Sequence, residues 1–323
     1  MRILVAGGAG YVGSALVPYL IEHGYEVEVI DLLWFGNHLP DSVNVIKQDL
    51  FDCTEEDFQG FDQVIFLAGL SNDPMAEFSP SMNFVHNAAL PSYLAYLARR
   101  AGVRRFIYGS SCSVYGYTVD ELYDEESPVI SGYPYGISKL QGERGVLQMQ
   151  GDGFSTIALR KGTISGYSPR MRLDLIVNAM FKSGMRDRKI TVNNPAIWRP
   201  ILDIRDAIRG YLRAVQADYR INGVFNITSD NYTVGQVGDL VKEELEELGE
   251  RVGIEIKDIQ DFRNYKVTNQ KAKTVLGYEP RYSVSDIVKK LYQHKDEFGD
   301  YEDDNFYNIR QFKKLTLGVP VGA

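Results

Sequence analysis

Apolar runs of strand length alternate with amphipathic stretches through the first half of the chain. Arg2-Ile-Leu-Val-Ala6 has the pattern of a buried strand and runs into Gly7-Gly8-Ala9-Gly10-Tyr11-Val12-Gly13. An apolar-periodic helix follows from Ser14 to about His23, with Gly24 as its stop, and Glu26-Val-Glu-Val-Ile30 is a second strand ending at Asp31. Strand, glycine turn, helix and strand in that order make one βαβ unit. The alternation continues: a weak strand at Asn44-Val-Ile46, a strong one over 62–68, a helix over 87–100, a strand over 105–108, a helix from Tyr135 to about Gln150 and a strand over 155–159. Buried strands alternating with helices predict a parallel sheet covered on both faces, an α/β fold of the Rossmann-type, doubly wound kind.

The rhythm changes after about Gly162. Ser168 to Asn178 reads as a loop entering a helix, Gly223-Val-Phe-Asn-Ile227 as a late strand, and 241–248 as an amphipathic helix with Val241, Leu245 and Leu248 on one stripe. The expected division is a dinucleotide-binding domain over 1–164 with a returning segment near 199–228. A smaller C-terminal α/β substrate-binding domain then takes 165–198 and 229–323. The acidic tail (Asp296, Glu297, Asp300, Glu302, Asp303, Asp304) reads as a solvated loop.

Composition narrows the function classes. The 43 acidic residues against 35 basic ones give a net charge of −8, which argues against nucleic-acid binding. Cys53 and Cys112 cannot form a disulfide framework, and His23, His38, His86 and His294 have no metal-ligand spacing, so no metal is expected. A reduced cytoplasm fits. No signal peptide is visible and no apolar run approaches a membrane span.

Gly8-x-Gly10-x-x-Gly13 follows a strand and opens a helix, the context that makes this spacing a dinucleotide signal. Glycines let the backbone approach a pyrophosphate, and the helix N-terminus supplies free N–H donors. Asp31 ends the second strand 18 residues after Gly13, where an acid can grip an adenosine ribose. Its carboxylate would repel a 2′-phosphate, and Leu32 and Leu33 follow with no arginine to neutralise one, so NAD is preferred over NADP. Asp49-Leu50 after the third strand has two readings, an adenine-edge contact or an ordinary turn.

Tyr135 and Lys139 lie four residues apart on a predicted helix, which puts a phenol and an ammonium on one face. Tyrosine ionises near pH 10, so a base working near pH 7 needs a shift of roughly 3 units, or about 4 kcal/mol. A neighbouring ammonium supplies part of it, and an oxidised nicotinamide ring more. Gly109-Ser-Ser-Cys-Ser-Val-Tyr115 lies shortly before them.

Taken together, Gly7-x-x-Gly10-x-x-Gly13, Leu67-Ala68-Gly69, Ser110-Ser-Cys-Ser-Val-Tyr-Gly116, Tyr135-x-x-x-Lys139 and Arg199 before Asp203-Ile-Arg-Asp206 resemble the extended short-chain dehydrogenase/reductase family, specifically its NAD-dependent nucleotide-sugar epimerases and oxidoreductases. The resemblance spans nearly the whole chain. It implies Tyr135 as general acid/base, Lys139 on the nicotinamide ribose and Ser111 as the hydroxyl that helps pass the proton. It assigns Gly7, Gly10, Tyr11, Val12, Gly13, Asp31, Asp49, Leu50, Leu67, Ala68, Gly69 and Asn87 to the cofactor side, Asn87 as a brace for the cofactor-binding strands. Ser71, Ser113, Thr163, Arg172, Asn178, Arg199 and Arg263 are assigned to the substrate, with Arg199 and Arg263 on a diphosphate. Residues 160–209 carry eleven Lys/Arg against four Asp, a local field suited to a second diphosphate.

Two departures stand out. Relatives that dehydrate carry Asp-Glu after the catalytic hydroxyl, where this chain has Cys112 and Ser113, so elimination is not expected. Cys112 sits one position before the reactive cysteine of related 3,5-epimerases and reads as buried and inert. Leu67-Ala68-Gly69 replaces the usual His-x-Ala-Ala and reads as packing variation. The expected activity is epimerisation of a UDP- or GDP-linked sugar through a 4-keto intermediate. The alternatives are a 4-dehydrogenase or 4-ketoreductase, with Ser168 to Asn178 similar to GDP-heptose 4-dehydrogenases, or a non-catalytic NAD sensor. The resemblance also implies a homodimer built on the helices near 87–100 and 135–150.

Overall fold

The computed structural model describes residues 1–257 and 263–317. Its central sheet has seven parallel strands: β1 (Arg2–Ala6), β2 (Glu26–Asp31), β3 (Asn44–Lys47), β4 (Gln63–Phe66), β5 (Arg105–Ser111), β6 (Ser155–Lys161) and β7 (Gly223–Ile227). Their spatial order is 3-2-1-4-5-6-7. β1, β4, β5 and β6 are buried on both faces because both faces are covered. Helices α1 (Gly13–Glu22) and α5 (Ile204–Gln216) cover one side, with Leu16, Val17, Leu20 and Leu212 in that core. Helices α2 (Leu90–Arg100) and α3 (Pro134–Leu147) cover the other, with Leu90, Leu94, Leu97 and Val146 against Phe66 and Phe106. Each such side chain, fully withdrawn from water, is worth about 2 kcal/mol.

Chain direction across the sheet reverses between β1 and β4, so the crevice beyond their carboxyl ends is where this architecture takes a ligand. Two strands run further than the apolar pattern indicated. β5 continues to Ser111 and β6 to Lys161, side by side in register, which carries polar side chains to that crevice. The buried Arg105 guanidinium locks α5 onto the sheet by donating to the carbonyls of Ala214, Ala217 and Asp218, the last turn of the helix and just past it.

A second body packs α4 (Ile176–Asp187), α6 (Val234–Glu247) and α7 (Val284–Gln293) around Val177, Phe181, Val241, Leu245, Ile287 and Leu291. The stripe on α6 is as patterned, with Leu248 half-buried at its end. The acidic tail is a solvated loop only in part: Asp296, Glu297, Asp300 and Asp303 are exposed, but Glu302 and Asp304 are half-buried in ion pairs. Glu302 accepts from Lys182, Arg186 and Arg310, and Asp304 pairs with Arg310 and Lys314. Those ion pairs lead into α8 (Asn308–Thr316), whose Phe312 is buried against Trp34 and Phe78. No helix among the described residues is long and apolar enough to cross a membrane.

Candidate active site

A cleft of about 820 Å³ opens at the switch point and runs from the glycine turn to the second body. Gly7 has φ +80, and a Cβ there would lie 2.5 Å from the Ala68 nitrogen. A Cβ at Gly13 would lie 2.2 Å from the Gly8 carbonyl oxygen, so α1 can start this close to β1 only with glycine. Gly10 has space around it and lines the cleft, leaving backbone open to a ligand. Val12, Gly13, Asp49, Leu50, Leu67, Ala68 and Gly69 share that wall.

The Asp31 carboxylate accepts from the Ala9 N–H at 3.0 Å and the Leu33 N–H at 2.7 Å, tying β2 to the glycine turn. Burial pushes its carboxyl up, and those two bonds work against the rise. No arginine follows Asp31 in the chain, but one reaches it through the fold. Arg170, 139 positions away in sequence, lies within Coulombic reach of it. Its guanidinium stacks 3.7 Å from the Phe35 ring centroid and donates to Asn308 at 2.6 Å.

Tyr11 lines the cleft, and its hydroxyl donates to the Gly166 carbonyl at 2.6 Å, joining the glycine turn to the segment after β6. Asn87 stands outside the cleft wall. It sits in a π-type turn (Val85–Ala89), fully buried, and donates to the Leu70 carbonyl at 2.9 Å and to Asn83 at 2.8 Å. That position explains the third residue of Leu67-Ala68-Gly69. Gly69 has φ +115, and a Cβ on it would fall 2.1 Å from Asn87 Oδ1, so glycine is a steric requirement there.

Ser111 ends β5 in extended conformation and caps the following turn by accepting from the Ser113 N–H. Tyr135 lines the cleft with Ser111, which works to lower the phenol's pKa, and Pro134 opens α3 at a position where no N–H is needed. Tyr135 and Lys139 share the first turns of α3 and both line the cleft. The phenol is not primed as the sequence spacing suggested. Burial raises its pKa above the ordinary value, Asp73 adds to the rise, and Ser111 and Arg172 oppose it. Lys139 is pushed well down by burial and then by Lys161, with Glu143 pulling it back. Its ammonium lies 4.5 Å from the Tyr108 ring centroid.

On the substrate side, Ser71, Ser113, Thr163, Arg172, Arg199 and Arg263 line the cleft. Arg172 forms a two-pronged pair with Asp174 at 2.8 and 3.0 Å, and Arg263 pairs with Asp73. Arg199 donates to the Trp198 and Arg263 carbonyls. Asn178 is not in the wall. Its amide is spent on the Gly166 N–H and the Arg172 carbonyl. The basic field over 160–209 is also smaller than the charge count implied. Arg160, Arg186, Arg188, Lys189 and Arg205 are paired with Glu143, Asp187, Glu250, Glu255 and Asp203. Arg170 and Arg172, by contrast, are buried cleft residues rather than solvated loop arginines. Cys112 is buried, donates to the Arg160 carbonyl, and burial raises its thiol pKa.

Sequence reasoning missed Glu143, Asp73 and Asn308, and counted Lys161 and Arg170 only within the general basic field of 160–209. Glu143 had a signal, since it lies four residues beyond Lys139 on the same helix face. The other four come from segments that only the tertiary fold brings together.

A glycine-turn crevice joined to a Ser/Tyr/Lys group defines a dinucleotide-dependent α/β enzyme. A profile of the NAD dependent epimerase/dehydratase family matches residues 3–228, and the chain belongs to that family. It is 25% identical to a UDP-glucose 4-epimerase of Corynebacterium glutamicum over 93% of this chain and 97% of that protein. It is 29% identical to UDP-glucuronic acid decarboxylase 6 of Arabidopsis thaliana over 87% of this chain and 84% of the other. The structure of UDP-glucose 4-epimerase from Thermotoga maritima with UDP-glucose superposes with a TM-score of 0.82 at 26% identity, covering 93% of this chain and all of that one. The glycine turn, the anchored Asp31 and the open helix N-terminus fit NAD, the family's cofactor.

Proposed function

We propose that the protein epimerises a UDP-linked sugar at C4 through a 4-keto intermediate. The observation that carries this reading is that Ser111, at the carboxyl end of β5, lines one cleft with Tyr135, Lys139 and the glycine turn. NAD, when bound, supplies the acceptor and later the donor of the C4 hydride. Gly7, Gly10, Gly13 and Asp31 would hold it, with Lys139 at its reactive end. Tyr135 takes the proton of the C4 hydroxyl and returns it after the sugar has turned, and Ser111 keeps that oxygen in line for the transfer. Arg172, Arg199 and Arg263 serve the sugar nucleotide's diphosphate, their planar forks matching phosphate oxygens.

The position after Ser111 favours epimerisation over elimination. Cys112 is held as a buried neutral thiol by burial and its bond to a carbonyl, so no acid stands there to protonate a leaving hydroxyl. UDP rather than GDP is chosen on the two 4-epimerase relatives named above. We place a homodimer interface on α2, where Tyr93 and Tyr96 are 39% and 46% exposed.

Incubation with UDP-glucose, UDP-galactose and UDP-glucuronic acid, followed at C4 by NMR, tests the proposal. A C4 epimer without net NADH is the expected result. Stoichiometric ketone would mean a 4-dehydrogenase, and carbon dioxide from the uronic acid would mean decarboxylation of a β-keto acid. Either would replace the epimerase reading. Tyr135→Phe should lower kcat by about 10²–10⁴-fold, the usual worth of a general acid/base, with bound NAD retained.

A further inference from the structure

The cleft holds an amine that the mechanism above does not use. Lys161 ends β6 directly beside Ser111 and lines the cleft. Its ammonium makes no hydrogen bond or ion pair among the described residues, and its near neighbour is the Tyr211 ring, with the centroid 5.7 Å away. The Tyr211 hydroxyl is buried and likewise has no hydrogen-bond partner. The space both occupy exists because residue 109 is glycine. A Cβ there would lie 2.7 Å from the Tyr211 oxygen, 3.0 Å from the Lys161 nitrogen and 3.1 Å from the Phe66 carbonyl oxygen.

We infer that Lys161 is a charge-setting residue for the nicotinamide end of the cofactor site, seated in the Gly109 notch, and that it biases the bound dinucleotide toward its reduced form. The inference rests on the C4-oxidation reading. Tyr135 and Ser111 handle the hydroxyl proton, and the hydride leaves the same carbon. The accepting ring must therefore lie against the end of β5, which is where Gly109, Ser111 and Lys161 meet. That ring is positive when oxidised and neutral when reduced, so a fixed cation beside it raises the oxidised form more. Lys139, the other amine there, is itself driven toward neutrality by burial and by Lys161. The other ionisable groups facing the notch are Tyr211 and Tyr135, both pushed up by burial and neutral near pH 7. Glu143, the nearest carboxylate on α3, is spent on Arg160 and Ser110. Burial lowers Lys161 to about 8, which leaves it mostly charged at neutral pH.

Equilibrating the purified protein with defined NAD/NADH mixtures, then denaturing it and measuring the two nucleotides released, reads the preference without any sugar. Wild type should favour NADH. Lys161→Met should lower the bound NADH:NAD ratio by about tenfold or more, as removal of one partly screened charge implies, while Lys161→Arg keeps it. Gly109→Ala fills the notch and should lower the ratio as well, which decides the matter where Lys161→Met does not fold. A ratio unchanged within about twofold in Lys161→Met or Gly109→Ala, with both nucleotides still bound, overturns the inference and leaves the epimerase reading intact. A wild-type protein that binds neither nucleotide overturns both.

Discussion

Removing the carboxylate of Glu143 should cost more stability than any change at the cleft surface. Glu143 and Arg160 are 1% and 4% exposed and pair through two bonds, Nη2–Oε1 at 2.7 Å and Nε–Oε2 at 3.0 Å. Ser110 donates to the same carboxylate at 2.6 Å, and Arg160 donates onward to the Tyr115 hydroxyl at 2.8 Å. Burial works against the arginine's charge, and the bonds to Glu143 more than restore it, so the guanidinium stays charged. In Glu143→Ala that charge remains buried without its counter-ion, and Ser110 loses its acceptor. Breaking one side of such a pair costs about 3–5 kcal/mol. For a chain of 323 residues, with roughly 2 cal/mol/K of unfolding entropy per residue, this is a fall in Tm of about 4–7 °C. Urea unfolding followed by circular dichroism measures the free energy, and calorimetry the Tm. The double variant Glu143→Met with Arg160→Met removes both charges and should regain most of the loss. A loss below about 1 kcal/mol in Glu143→Ala, or a double variant no more stable than the single one, would refute the premise that the charge is stranded.

Two further outcomes follow from the site. Asp31→Ala strands the Ala9 and Leu33 N–H groups and removes the acid expected on the ribose, so NAD should bind about tenfold or more weakly by calorimetric titration, with a stability loss of about 1–3 kcal/mol. Stability should also depend on alkaline pH through Lys161, which moves from its ordinary 10.5 down to about 8 on folding. Between those values the unfolded chain binds more protons, so this group's contribution to stability rises with pH across the window. Lys161→Met should flatten that part of the urea-midpoint profile relative to wild type, and identical profiles would show that the amine is not buried as charge.

The central sheet was legible in the sequence because its inner strands β1 and β4 and the cores of β2, β5 and β6 are runs of buried apolar residues, and the glycine turn adds a spacing that only one geometry satisfies. Ser111, Tyr135 and Lys139 were legible for a related reason: two lie on one helical face and the third at a strand end, so local periodicity already groups them. Legibility failed where the partner comes from far along the chain. Arg160 counted as a phosphate-side cation because nothing in 160–209 shows that a carboxylate 17 positions earlier, on α3, neutralises it. Glu302 looked solvated because two of its bases, Lys182 and Arg186, are more than 100 positions away, although Arg310 lies nearby in sequence. Asn178 was assigned to the substrate as a polar residue in the right segment. In the fold its amide closes backbone hydrogen bonds instead, a use of asparagine that carries no sequence signature.

The phenol of Tyr135 links these threads. Burial and Asp73 hold its pKa up, and Lys139 is itself driven toward neutrality by burial and by Lys161, so the Tyr–Lys spacing alone does not make a base. One further positive charge in the cleft changes the balance. It favours the phenolate, and that makes proton removal conditional on the oxidised form of the cofactor being in place. Once the ring has been reduced that charge is gone, and the proton stays on the phenol until hydride returns. A base that works only beside an oxidised ring keeps the two halves of the reaction in step, whichever face of the sugar receives the hydride. The same condition predicts that Tyr135 titrates at lower pH with NAD than with NADH, by roughly 1–3 units for an opposite charge within about 4–6 Å. Ultraviolet difference titration of the tyrosinate, with Tyr135→Phe as the blank, measures it. Equal titration midpoints in the two complexes would separate the proton chemistry from the redox state and undo the coupling.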